Sequence, residues 1–191
     1  QMDVLWGEFA AVPEANLHIL RGGERLTVVG HDLEVAYTPG HAQHHLAYFH
    51  RASRIAFVGD VGGCRTAHMA TVMPPTPPPD IDPALWQASV ARILDWQPEA
   101  LFLTHFGLIT DVAAHMAELL DRLEVMQGIA RRLLDDTSLS EAQREAQFAD
   151  DLRREYRRTM NEADVRRMEL AVPLALCWRG LARAIRKAQS A

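Results

Sequence analysis

Phe57-Val58-Gly59-Asp60, FVGD, ends the apolar run RIAFVGD (54–60) on a carboxylate, and the chain then turns into Val61-Gly62-Gly63. A short run rich in apolar and aromatic residues, bounded by charge and glycine, predicts a buried strand that stops at Asp60. A carboxylate at a strand end either caps the next turn or is held out for chemistry.

Upstream, LHIL (17–20), LTVV (26–29), LEVAYT (33–38) and HLAYF (45–49) follow the same pattern, separated by glycine and polar turns, and predict further strands of one meandering sheet. Downstream, MPPTPPPDIDP (73–83) predicts a stiff extended loop, because successive prolines remove backbone donors and fix φ. DPALWQASVARILDW (82–96) then predicts a helix, with Asp82 as N-cap and Pro83 at the first helical position. ALFLTHFG (100–107) is another short apolar strand that stops at a polar residue, His105. Strand, helix and strand in that order predict an α/β crossover.

Beyond Asp111 the pattern becomes helical. Three long amphipathic stretches are expected, broken at Thr137-Ser138 and at Asn161, with acids and bases interleaved as in Glu162 and Arg166. The expected organisation is an α/β unit over residues 1–112 followed by a helical extension over 113–191. The opening MDVLWGEF (2–9) is helix-like.

The 191 residues, 48% of them hydrophobic, suffice for one sizeable core or two small ones. A net charge of −5 gives no electrostatic reason to expect nucleic acid or an anionic membrane as a partner. The Arg-rich faces of the tail carry interleaved acids and read as solvated surface. Cys64 and Cys177 are isolated, without CxxC spacing, which fits a reducing compartment and a cytoplasmic location. No apolar run approaches the roughly 18 residues that a bilayer span needs.

Three polar residues carry the chemical reading. His41 in TPGH follows strand LEVAYT, Asp60 follows RIAF, and His105 follows ALFL, each at a strand-to-loop junction. In a layered α/β protein such ends often converge on one rim, where imidazole and carboxylate can meet a divalent ion. His41 alone would read as a turn histidine; beside Asp60 and His105 it reads as a ligand. Cys64 lacks a base partner and reads as a small, partly buried residue, His44 as exposed, and His68 as a solvated loop histidine or a substrate contact.

In this order, TPGHAQHH (38–45), FVGDVGG (57–63) and LTHFG (103–107) resemble the second half of the metallo-β-lactamase-fold hydrolases, over roughly residues 1 to 115. The resemblance implies the second half of an αββα sandwich with a site at one edge of two facing sheets. It implies His41 as a ligand of one metal, His105 of a second, and Asp60 as the carboxylate that bridges them and is central to catalysis. His45 would support the ligands from behind. One negative charge shared between two cations lowers their repulsion. The implied cofactors are two divalent ions, zinc first, with iron or manganese also compatible. The implied activity is hydrolysis of an ester, thioester, lactone or amide by a metal-activated hydroxide acting on a small-molecule substrate.

The family's HxHxDH motif is absent from this sequence. The chain is therefore expected to be a C-terminal portion without full activity, holding only part of the metal ligands. The alternative expectation is a non-catalytic half-domain or degenerate core that forms a homo-oligomer or pairs with the missing N-terminal half.

Overall fold

A computed structural model describes residues 10–65 and 71–190. His68 and the helix-like opening stretch lie outside the described residues. Six strands form one sheet in chain order: β1 (Arg25–Val28), β2 (His31–Tyr37), β3 (Leu46–His50), β4 (Ile55–Cys64), β5 (Ala100–His105) and β6 (Gly107–Ile109). The first four form the antiparallel meander. β5 runs parallel to β4, and helix α1 (Pro83–Leu94) makes the crossover between them. Asp82 caps α1 by accepting from the backbone N–H groups of Ala84 and Leu85, with Pro83 opening the helix.

Alternation along the strands sends Ala47, Phe49, Ala56, Val58, Leu101 and Leu103 to one face. That face packs on Trp86, Val90 and Ile93 of α1 and on Met116, Leu119 and Leu123 of α2 (Val112–Asp135). Each large side chain so buried contributes about 1.5–3 kcal/mol. The core continues into α3 (Glu141–Tyr156), α4 (Glu162–Ala171) and α5 (Leu174–Gln189) through Phe148, Met168 and Trp178. Ser140 and Gln143 form the capping box that starts α3.

The opposite face is apolar and, among the described residues, uncovered. Tyr48, Phe57, Phe102 and Leu108 stand directly across from one another on β3 to β6, and Phe57, Phe102 and Leu108 are 40, 46 and 53% exposed. One sheet with helices on a single face is half of a sandwich, as expected.

Several expectations require correction. LHIL forms no strand: Leu17 and Ile19 are exposed, and among the described residues no ladder partner pairs with this segment. β4 does not stop at Asp60 but runs to Cys64, with register shifts against β5 between Phe57 and Gly59 and between Gly59 and Cys64. Asp60 therefore sits inside an irregular strand, where glycines permit the slip. The three helical stretches become four helices, because Pro173 cannot donate within a helix and separates α4 from α5. The stiff proline loop is not excluded from the core: its residues 73–76 are buried, and Thr76 Oγ1 donates to the Cys177 carbonyl. Gly180 lets α5 lie on this loop, since a Cβ there would sit 2.0 Å from the Thr76 oxygen.

Candidate metal centre

Asp60 lies between two imidazoles. His41 Nε2 is 3.8 Å from Asp60 Oδ2, and His105 Nε2 is 3.3 Å from Oδ1. The three residues come from the loop after β2, the irregular half of β4 and the last position of β5, so the parallel β4–β5 pair sets their convergence. His105 is too poorly aligned to donate to Oδ1, which is buried without a hydrogen-bond partner among the described residues. A buried carboxylate oxygen in that state is complementary to a cation.

The orientation of the His41 ring follows from its partner. Nδ1 lies 2.9 Å from the Pro75 carbonyl, which can only accept, so Nδ1 carries a proton and Nε2 is the nitrogen turned to the Asp60 side. The proline loop thus supplies a hydrogen bond that fixes the orientation of the His41 imidazole. His45 acts differently. The Asp60 backbone N–H donates to His45 Nε2 at 3.2 Å, leaving His45 Nδ1 to donate to Thr38 Oγ1 at 2.9 Å. Burial pushes the His45 pKa down to about 4, against a partial opposing pull from Asp60, so the ring is neutral at physiological pH. His45 holds the backbone of Asp60 rather than the ring of His41 or His105.

Two glycines make these placements possible. Gly40 has φ +135, and a Cβ there would lie 2.4 Å from Trp86 Cα. Gly59 has φ +56, and a Cβ there would meet His45 Nε2 at 2.4 Å. Each immediately precedes a site residue, a signal present in the sequence as Gly-His and Gly-Asp. The residues beyond Asp60 are held from the helices: Trp86 Nε1 donates to the Val61 carbonyl at 2.9 Å, and His115 Nε2 to the Gly62 carbonyl at 2.8 Å. The Trp86 ring also stands edge-on to His41, with centroids 5.8 Å apart. Arg65 N–H donates to the His105 carbonyl at 2.7 Å, while its guanidinium lies 3.5 Å from Glu118. Nothing in the strand pattern marks Trp86, His115 or Glu118, whose roles exist only once the helices dock.

Cys64 is fully buried and its thiol is pushed up to about 11, chiefly by burial, so it stays protonated and inert. His44 is exposed. Among the described residues, no three His, Cys, Asp or Glu side chains are gathered tightly enough to hold an ion alone. The donor set nonetheless fits a share of a two-ion site: one imidazole stands near each oxygen of a single carboxylate. No helix among the described residues is long and apolar enough to cross a membrane.

A model of the metallo-beta-lactamase superfamily matches residues 2–105. The metallo-beta-lactamase fold-containing protein ST1585 of Sulfurisphaera tokodaii is 30% identical over 112 residues, which span 58% of this chain and 41% of that protein. Among solved structures, the metallo-beta-lactamase family protein TTHA1429 from Thermus thermophilus superposes with a TM-score of 0.60 at 20% identity, covering 90% of this chain and 48% of that one. ST1585 from Sulfolobus tokodaii gives 0.57 at 21% identity, covering 94% and 57%. The chain thus spans between two fifths and three fifths of these relatives. The structural likenesses establish a shared fold, and the family match extends over more than half of the sequence. By that family match, the chain belongs to the metallo-beta-lactamase superfamily.

Proposed function

We propose that this chain carries one side of a binuclear metal centre in a metal-dependent hydrolase. The observation that carries the reading is Asp60, whose two carboxylate oxygens each face a different imidazole Nε2, with Oδ1 buried and unpaired among the described residues. His41 and Asp60 Oδ2 would hold one divalent ion, and His105 and Asp60 Oδ1 a second, zinc being the best match to nitrogen and carboxylate donors. The remaining donors would come from a segment corresponding to the part of the relatives that this chain does not cover. The chemistry such ions supply is a water acidic enough to attack at neutral pH beside a polarised carbonyl. His45, with its neutral ring on the Asp60 N–H, and Pro75, with its carbonyl on His41, keep two donors aimed without reorganisation. An ester, thioester, lactone or amide is the substrate class proposed, within the cytoplasm.

The test is hydrolysis of a panel of such substrates by the protein carrying the whole fold. Asp60→Ala is expected to lower kcat/KM by at least about a thousandfold, on the scale of losing a central electrostatic group. Activity retained within threefold by that variant would remove Asp60 from the mechanism.

A second reading rests on the uncovered sheet face. We propose that Tyr48, Phe57, Phe102 and Leu108 are covered in the working protein by a second sheet, from the segment missing relative to the relatives or from another copy of the chain. Light scattering of the isolated chain at micromolar concentration is expected to show dimers or larger species. A stable monomer would count against it.

A further inference from the structure

Along the helical tail, charge is matched with regularity. Among the described residues, every arginine from Arg122 to Arg186 lies beside a carboxylate except two, Arg131 and Arg183. The only lysine of the protein, Lys187, also pairs with no carboxylate among the described residues. These three unmatched cations line one cavity, of about 690 Å³, between the first turn of α1, α2 and the end of α5. A volume in this range is that of a small-molecule site.

Grouping these cations carries a small electrostatic cost. Arg183 and Lys187 stand four residues apart on α5, where like charges repel by a few tenths of a kcal/mol, and Arg131 adds a third positive charge from α2. The dipole of α5 favours Lys187 in its last turn, but not Arg183 further in, and it does not reach Arg131 on α2. Arg131 rests on the Gln127 side-chain oxygen and Arg183 on the Pro79 carbonyl, both neutral acceptors that aim the guanidiniums without quenching their charge. Ile81, Leu85 and Ile185 supply an apolar part of the lining beside polar residues such as Gln43 and Gln189, and Leu85 is 44% exposed. Asp80 and Asp82 also reach the wall, which disfavours a doubly charged head relative to a singly charged one.

We propose that this cavity binds a short aliphatic carboxylate, its head on Arg131, Arg183 and Lys187 and its chain along Ile81, Leu85 and Ile185. Guanidinium groups match a carboxylate in plane, and the apolar wall favours a chain of several methylenes. Pro39 and Gly40 form part of the same wall, so an occupant touches the loop that carries His41. The binding proposal stands independently of the hydrolase reading.

Octanoate is the probe, titrated calorimetrically into the purified chain, with inorganic phosphate and octanol as head-only and chain-only controls. Octanoate is expected to saturate one site with a Kd below about 1 mM, at least tenfold tighter than either control, and to weaken as salt rises. Arg183→Gln with Lys187→Gln is expected to raise Kd at least tenfold. Arg131→Gln alone, which leaves α5 untouched, is expected to raise it severalfold. Asp60→Ala is expected to leave it unchanged, so a failed metal centre does not imitate a failed cavity. Absence of saturable octanoate binding, equal affinity in the double variant, or loss in Asp60→Ala alone would each overturn the proposal. The three basic residues are exposed, and unchanged circular dichroism would establish that the variants remain folded.

Discussion

At the scale of single residues, the candidate site depends on atoms that are missing. Gly59→Ala would place a methyl group 2.4 Å from His45 Nε2 at a φ of +56, so both sterics and backbone oppose it. A loss of about 2–3 kcal/mol is expected, read as a lower urea midpoint with an unchanged m-value. Buried histidines set a pH limit. His45 is depressed to about 4 and His115 is also lowered, each chiefly by burial, so the unfolded chain binds protons that the native chain refuses. Their contribution is present in full above pH 6.5, the unfolded value, and is lost as pH falls toward their folded values. Thermal melting is expected to be nearly level from about pH 8 to 7 and to drop below about 6.5. His115→Gln, which keeps a donor for the Gly62 carbonyl but cannot titrate, should flatten that drop; an identical profile would contradict the assignment.

At the scale of elements, position is governed by close approaches between helices and loops. Gly180→Ala would drive a methyl group into the Thr76 carbonyl and push α5 off the proline loop. Overpacking of this kind is expected to cost about 1–3 kcal/mol, and because Pro75 of that loop holds His41, metal affinity should fall along with the unfolding midpoint. Loss of stability with wild-type affinity would separate the loop from the site. This coupling also explains what the sequence did and did not disclose. β2 to β5, the crossover helix and its Asp82 cap were legible because alternation, capping and turn chemistry are local. His41, Asp60 and His105 stood out because polar residues ended apolar runs. LHIL misled because an apolar run becomes a strand only where a partner supplies a ladder. The extension of β4 past Asp60 was hidden because bulges carry no periodic signature. Trp86, His115 and Glu118 were illegible because they reach β4 and the residue after it from helices 25 to 53 residues away in sequence, a relation set by packing.

At the scale of the whole molecule, one apolar face and the candidate centre lie on the same strands. The face that bears Phe57 and Phe102 lies on the strands that carry Asp60 and His105, so whatever covers it also borders the site. Phe57→Lys with Phe102→Lys is expected to shift the chain toward monomer in light scattering with little change in circular dichroism, since both rings are partly exposed. Unchanged association would place the contact elsewhere. The central claim, a carboxylate shared between two ions, is tested most directly by counting bound metal. Elemental analysis of the protein carrying the whole fold, after dialysis against buffered zinc, should give about two ions per chain, about one after His41→Ala or His105→Ala, and fewer than about one after Asp60→Ala. Two ions retained by Asp60→Ala would contradict the account.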